Sequence, residues 1–263
     1  MERLKYIVPN FFTALSLVFG FISIILICEG FLRGGGTISF LSNSGPHVIL
    51  ASWLIVWCVL LDKLDGFAAK ALNATSAFGA QFDSMADLVS FGVAPGMLTY
   101  GLAHAVSPEL FMSHRVVLVI SIALYVLATA ARLARFNAID MGELADYFHG
   151  LPSTIAGAFI TMLVILLYKY RGTVDAEGVI VILETGLVAS ALLMVSPLLL
   201  SKLKPRENRF VNIFQLVNIV GAYVCGFGML FPEYLFSLIL LYLLSGFTYG
   251  LINRSEILAG KGG

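Results

Sequence analysis

Apolar segments of bilayer-crossing length recur almost from end to end of this sequence. They run over 8–28, 47–68, 84–105, 115–136, 151–168, 178–200, 211–230 and 233–251. Each is near the ~20 residues that carry a helix across about 30 Å of hydrocarbon. A water-soluble core of this size has no room for so much apolar side chain: 59% of the 263 residues are hydrophobic and only 12% are charged. The pattern predicts an all-α integral membrane protein of about eight transmembrane helices. It reads as one transmembrane domain, with core helices over about 1–200 and an additional helix pair over about 211–251. The connectors at 29–46, 137–150 and 201–210 are loop-sized, and the first of them carries Gly34, Gly35 and Gly36.

Basic residues set the expected orientation. With the N-terminus in the cytosol, twelve of the 16 Lys and Arg fall on the cytosolic side, and Arg33, Arg115, Lys169 and Arg171 fall opposite. Both termini are then cytosolic. The charged start, Met1 to Lys5, precedes an apolar run too long for a signal peptide, and no small-x-small site closes it, so an uncleaved first helix is expected. Pro9 and Asn10 are expected to mark its entry. The formal net charge of +0 argues against a broad hold on nucleic acid. Cys28, Cys58 and Cys225 lie far apart in apolar runs, as small fillers rather than a disulfide frame.

Residues 61–96 break the apolar pattern. Asp62 and Asp65 are three apart, and Asp83 and Asp87 are four apart, so each pair shares a helix face. A short polar turn around Asn73–Ser76 makes the two helices antiparallel neighbours, and all four acids fall at the same membrane surface. Acidic residues in a span are functional by default. Lys63 and Lys70 do not neutralise four converging carboxylates, whereas hard divalent cations do: Mg²⁺ or Mn²⁺, two ions fitting best. Gly66, Ala69 and Gly79 track the aspartates on the same faces and leave a surface for a flat base or for close helix packing. Arg132 and Arg135 share a face at the end of the fourth helix, suited to a carboxylate, a phosphate or interfacial anchoring. Lys202, Lys204, Arg206 and Arg209 read as a topology-setting basic loop.

Asp62-x-x-Asp65-Gly66-x-x-Ala69-Lys70, eight residues, then Gly79-x-x-x-Asp83-x-x-x-Asp87 resembles the signature of the CDP-alcohol phosphatidyltransferases, with Lys70 where that family usually carries Arg. The run Phe82–Pro95, Ala131–Asn137, Gly150–Ser153 and Pro9-Asn10-x-x-Thr13 resemble its phosphatidylserine synthase branch. The resemblance implies transfer of a phosphatidyl group from CDP-diacylglycerol to the hydroxyl of L-serine, releasing CMP. It implies metal ligation by Asp62, Asp65, Asp83 and Asp87, with Asp87 also the general base. It implies a liponucleotide site of Asn10, Thr13, Asp62, Gly66, Ala69, Lys70 and Gly79. Arg132, Arg135, Asn137 and His149 are candidates for the serine site, with Tyr147–His149 as part of its wall or lid. A homodimer in a prokaryotic inner membrane, with the active site facing the cytosol, is implied as well. Choline, threonine, glycerol and inositol also carry attacking hydroxyls. A transporter with an acidic cation site is the alternative of another class.

Overall fold

The computed structural model describes residues 7–32, 47–72, 76–138, 147–202 and 209–252. Outside these fall the Gly34–Gly36 connector, most of the turn around Asn73, the loop carrying Lys204 and Arg206, and both charged ends. The side chain of Lys70 lies outside the described ones too.

The described chain is almost wholly helical: α1 (Ile7–Leu32), α2 (His47–Ala71), α3 (Ala77–Asp87), a π-helical turn (Leu88–Val93), α4 (Ala94–Val106), α5 (Pro108–Ala138), α6 (Ser153–Lys169), α7 (Ala176–Val195), α8 (Arg209–Phe227) and α9 (Pro232–Ile252). Six helices among the described residues are long and apolar enough to cross a membrane: α1, α2, α5, α7, α8 and α9. The shorter α6 has 17 residues. The π turn joins α3 and α4 without a break, so the expected eight spans correspond to eight rods.

The differences from expectation have local causes. The third rod begins at Ala77 because Ser76, extended, accepts the Gly79 N–H on its side chain (3.0 Å). The first helix is already running at Ile7, so Pro9 sits inside its first turn, where a missing N–H costs nothing. Helix α7, the sixth expected span, stops at Val195 rather than reaching 200. Pro197 forces Ser196 out of the helical region (ψ 155°). The chain then forms β2 (Leu199–Ser201), which pairs antiparallel with β1 (Tyr147–His149), where a plain loop was expected.

The α3–π–α4 rod is the axis of the bundle. Phe91, Leu98 and Leu102 on it are fully buried in one apolar core with Tyr125 of α5, Ile160 of α6 and Leu183 and Leu187 of α7. The first helix is pinned to it through a single carbonyl: Ser16 O accepts from Cys58 Sγ of α2 (3.2 Å) and Ser90 Oγ of the π turn (3.1 Å). Helix α8 hangs on α2 through Trp57 Nε1, which donates to Gly226 O (3.1 Å), and Tyr223 OH, which donates to Leu60 O (3.2 Å).

Pro95 explains the π turn. It has no N–H to give the Phe91 carbonyl four residues earlier. Buried Tyr125 OH donates to Phe91 O instead (2.7 Å). Ala94 N–H reaches back five residues to Val89 O, the π spacing. Tyr125→Phe is expected to lower stability by about 1 kcal/mol, because a buried carbonyl loses its hydroxyl donor. The check is the thermal unfolding midpoint in detergent; an unmoved midpoint refutes it.

Candidate active site at one end of the bundle

The polar residues of five helices meet at one end of the bundle. Helix α2 brings Asp62 and Asp65 on its last turns, and α3 brings Asp83 and Asp87. One carboxylate oxygen from each of Asp62, Asp83 and Asp87 lies within 4.8 Å of the others. Asp65 stands outside that trio and is buried; its Oδ2 accepts from Thr13 Oγ1 of α1 (3.0 Å). Asp62 Oδ2 also accepts from Lys63 Nζ (3.0 Å) and from Thr154 Oγ1 of α6 (3.4 Å).

Three carboxylates this close repel strongly, and among the described lysine side chains the exposed Lys63 faces them. The donor set is all oxygen, which matches Mg²⁺ or Mn²⁺ in preference to softer metals. The residues present therefore fit a divalent ion, which Asp62, Asp83 and Asp87 could hold.

Gly66 and Gly79, grouped by the sequence, behave differently. Among the described residues nothing lies within 4 Å of a Cβ at Gly66, so close packing against them does not demand a glycine there. At Gly79 a Cβ stands 3.2 Å from Asn10 Oδ1 and 3.0 Å from Ser76 Oγ, so this glycine admits α1 beside α3. Ala69 is half-buried on the same helix as Gly66.

The arginines also part company. Arg132 is 9% exposed and donates through Nη1 to Ser153 Oγ (2.9 Å), which lies 3.4 Å from Asp87 Oδ2. Arg135 gives Nη2 to two backbone carbonyls, His149 O (3.0 Å) and Met194 O (3.5 Å), and so ties α5 to β1 and the end of α7. Asn137 Nδ2 donates to Ser84 Oγ of α3 (2.9 Å). His149 is exposed on β1, opposite Leu199. Arg132 is joined through one side chain, Ser153, to the acid trio.

Ser153 and Thr154 received no role from the sequence. Gly150 delivers them: its φ of +71° and a Cβ position 2.5 Å from Met194 O admit only glycine. Pro152 then starts α6 in extended geometry, and the next two side chains are hydroxyls aimed at the acids. A Ser-Thr pair directly after a proline that opens a helix was the available signal.

The CDP-alcohol phosphatidyltransferase family model matches residues 6–201, from the start of α1 through β2. The chain belongs to the CDP-alcohol phosphatidyltransferase family. Similar curated proteins carry the name CDP-diacylglycerol–serine O-phosphatidyltransferase. The Helicobacter pylori J99 protein is 36% identical over 166 residues, covering 63% of this chain and 60% of the relative. The Bacillus subtilis protein is 37% identical over 133 residues, covering 50% of this chain and 68% of the relative. The Saccharomyces cerevisiae protein is 32% identical over 133 residues, covering 47% and 45%. The match to the Helicobacter relatives thus spans about 60% of their length.

Saturating Mn²⁺ is expected to raise the thermal midpoint of the purified protein, by binding the folded state alone, and Asp83→Asn is expected to remove most of that rise. Equal Mn²⁺ stabilisation of both proteins refutes the trio as the ion site.

Proposed function

We propose that this family member transfers a phosphatidyl group from CDP-diacylglycerol to the hydroxyl of L-serine, giving phosphatidylserine and CMP. The observation that carries the reading is a buried guanidinium, Arg132, set one hydroxyl away from a carboxylate of the acid trio. A carboxylate-bearing acceptor suits that arrangement. Choline does not, because its cation needs an aromatic or acidic cage. The names of the similar proteins agree.

Asp62, Asp83 and Asp87, with Asp65 beside them, would hold two Mg²⁺ or Mn²⁺ ions. Bound there, such ions neutralise charge on the pyrophosphate and on departing CMP. The chain's own residues do the rest. Asp87 borders both the trio and the Ser153–Arg132 pair, so it is the carboxylate placed to take the acceptor proton. The serine oxygen attacks the diacylglycerol-bearing phosphorus, the bond from that phosphorus to CMP breaks, and CMP leaves with the electron pair. One in-line step suffices, without a phosphoryl-enzyme. Gly66, with open space above it, accepts the cytidine against the α2 backbone. Thr13 holds Asp65 in place, and Asn10 lines the liponucleotide side from α1. The preponderance of Lys and Arg favours the cytosolic face for this end, and the family resemblance supports a prokaryotic inner membrane. The exposed apolar residues of α8 suit a second copy within the bilayer.

CMP release from CDP-diacylglycerol in detergent, with a panel of alcohols, tests the reading. Release is expected to require serine and to stop on chelation; equal release with glycerol or inositol overturns the acceptor. Asp87→Asn is expected to abolish turnover in a folded protein, and near-normal CMP release refutes the base. Arg132→Ala is expected to raise KM for serine about tenfold or more, as loss of a charged hydrogen-bond partner does. Arg135→Ala is expected to lower the thermal midpoint instead, because its bonds go to backbone. Gly66→Leu is expected to raise KM for CDP-diacylglycerol with the midpoint unmoved. A fallen midpoint would assign Gly66 to helix packing.

A further inference from the structure

Ser153 stands between two groups of opposite charge. Its hydroxyl accepts from Arg132 Nη1 (2.9 Å) and donates toward Asp87 Oδ2 (3.4 Å). All three side chains are buried, Ser153 to 1% exposure. A guanidinium and a carboxylate this near, out of water, ordinarily close into a two-pronged pair. Here they do not: no ion pair between Arg132 and Asp87 occurs among the described residues. The Arg132 Nε is buried and has no hydrogen-bond partner. Such an orphaned donor calls for an explanation in a well-packed protein.

The backbone makes the separation stiff. Ser153 is the first residue of α6, set by the Pro152 extended entry and by the left-handed Gly150 pressed on Met194 O. Leu151 N–H donates to Leu193 O (3.0 Å) and Gly150 N–H to Leu198 O (2.7 Å). This turn fixes where the Ser153 Cβ stands, and the hydroxyl is held between its two partners, Arg132 and Asp87.

We propose that Ser153 is a positioning residue that acts as a spacer, keeping Arg132 from closing onto Asp87. It leaves the Asp87 carboxylate available to the acceptor hydroxyl and the Arg132 guanidinium without a carboxylate partner, its charge directed at the acceptor carboxylate. This rests on the serine-transfer reading above. Without the hydroxyl, the guanidinium swings onto Asp87 and occupies both groups at once. The liponucleotide side, at Gly66 and Asp65, is untouched.

The test compares Ser153→Thr with Ser153→Val, which have nearly the same shape and differ in the hydroxyl. Thr is expected to keep most activity. Val is expected to raise KM for serine and lower kcat, together about tenfold or more, with KM for CDP-diacylglycerol within about twofold of the parent. A second measurement separates spacing from packing: in Ser153→Val with Arg132→Ala, no guanidinium remains to collapse on the base. At saturating serine, kcat of the double variant is expected to exceed that of Ser153→Val alone. A double variant no faster than the single overturns the spacer, as does a Val variant with unchanged kinetics. If Val lowers the yield of folded protein, kinetics normalised to CDP-diacylglycerol binding sites decide the same comparison. A parent enzyme indifferent to serine refutes the acceptor reading and the spacer with it; a serine-dependent parent with an unaffected Val variant refutes the spacer alone.

Discussion

Mutual repulsion among carboxylates at the end of an apolar bundle is the constraint that the rest of this molecule answers. Asp62, Asp83 and Asp87 approach within 4.8 Å in a place where lipid and packed side chains weaken screening. Left alone, two antiparallel helices would rotate such acids apart. The neighbouring helices prevent this with hydroxyls: Thr13 from α1 to Asp65, Thr154 from α6 to Asp62, and Ser153 from α6 to Asp87. Each is a neutral donor that orients a carboxylate without cancelling its charge. The attraction for a cation survives, and the geometry is settled before any cation arrives.

Holding those hydroxyls in place requires irregular backbone at two points. At one, Pro95 deprives the Phe91 carbonyl of its usual donor, Tyr125 makes up the loss, and the helix widens into a π turn directly after Asp87. At the other, Gly150 takes a left-handed conformation against Met194 O so that α6 can begin with its two hydroxyls at the acids. Both sit within one helical turn of a functional side chain. Local irregularity of this kind collects at working sites because regular helices give too few directions to a side chain.

Much of this was legible in the sequence, for reasons that differ by residue. The spans were legible because bilayer thickness imposes a length, and the acid pairs because spacings of three and four fix a face. The gathering of Asp62 with Asp83 and Asp87 followed from the short turn between helices. The roles of Ser153 and Thr154 were not legible, since a hydroxyl 66 or 92 residues from its aspartate gives no local sign of meeting it. Arg132 and Arg135 looked equivalent three apart. Only the chain's return through β1 and the end of α7 engages one of them with carbonyls. Gly66 and Gly79 were alike in pattern too, and what separates them is whether another helix stands opposite.

The brevity of α6 has a consequence for where reaction partners meet. Seventeen residues make a rod of about 25 Å, against about 30 Å of hydrocarbon. Lys169, Tyr170 and Arg171 follow at its far end, the residue types that rest among headgroups. With that end moored, the shortfall of about 5 Å falls at Ser153. Such a mooring would sink the acidic chamber beneath the plane of the phosphates. On the proposed reading, a glycerolipid would present its diphosphate there with its tails still among their neighbours, and the small polar reactant would descend from the water to join it.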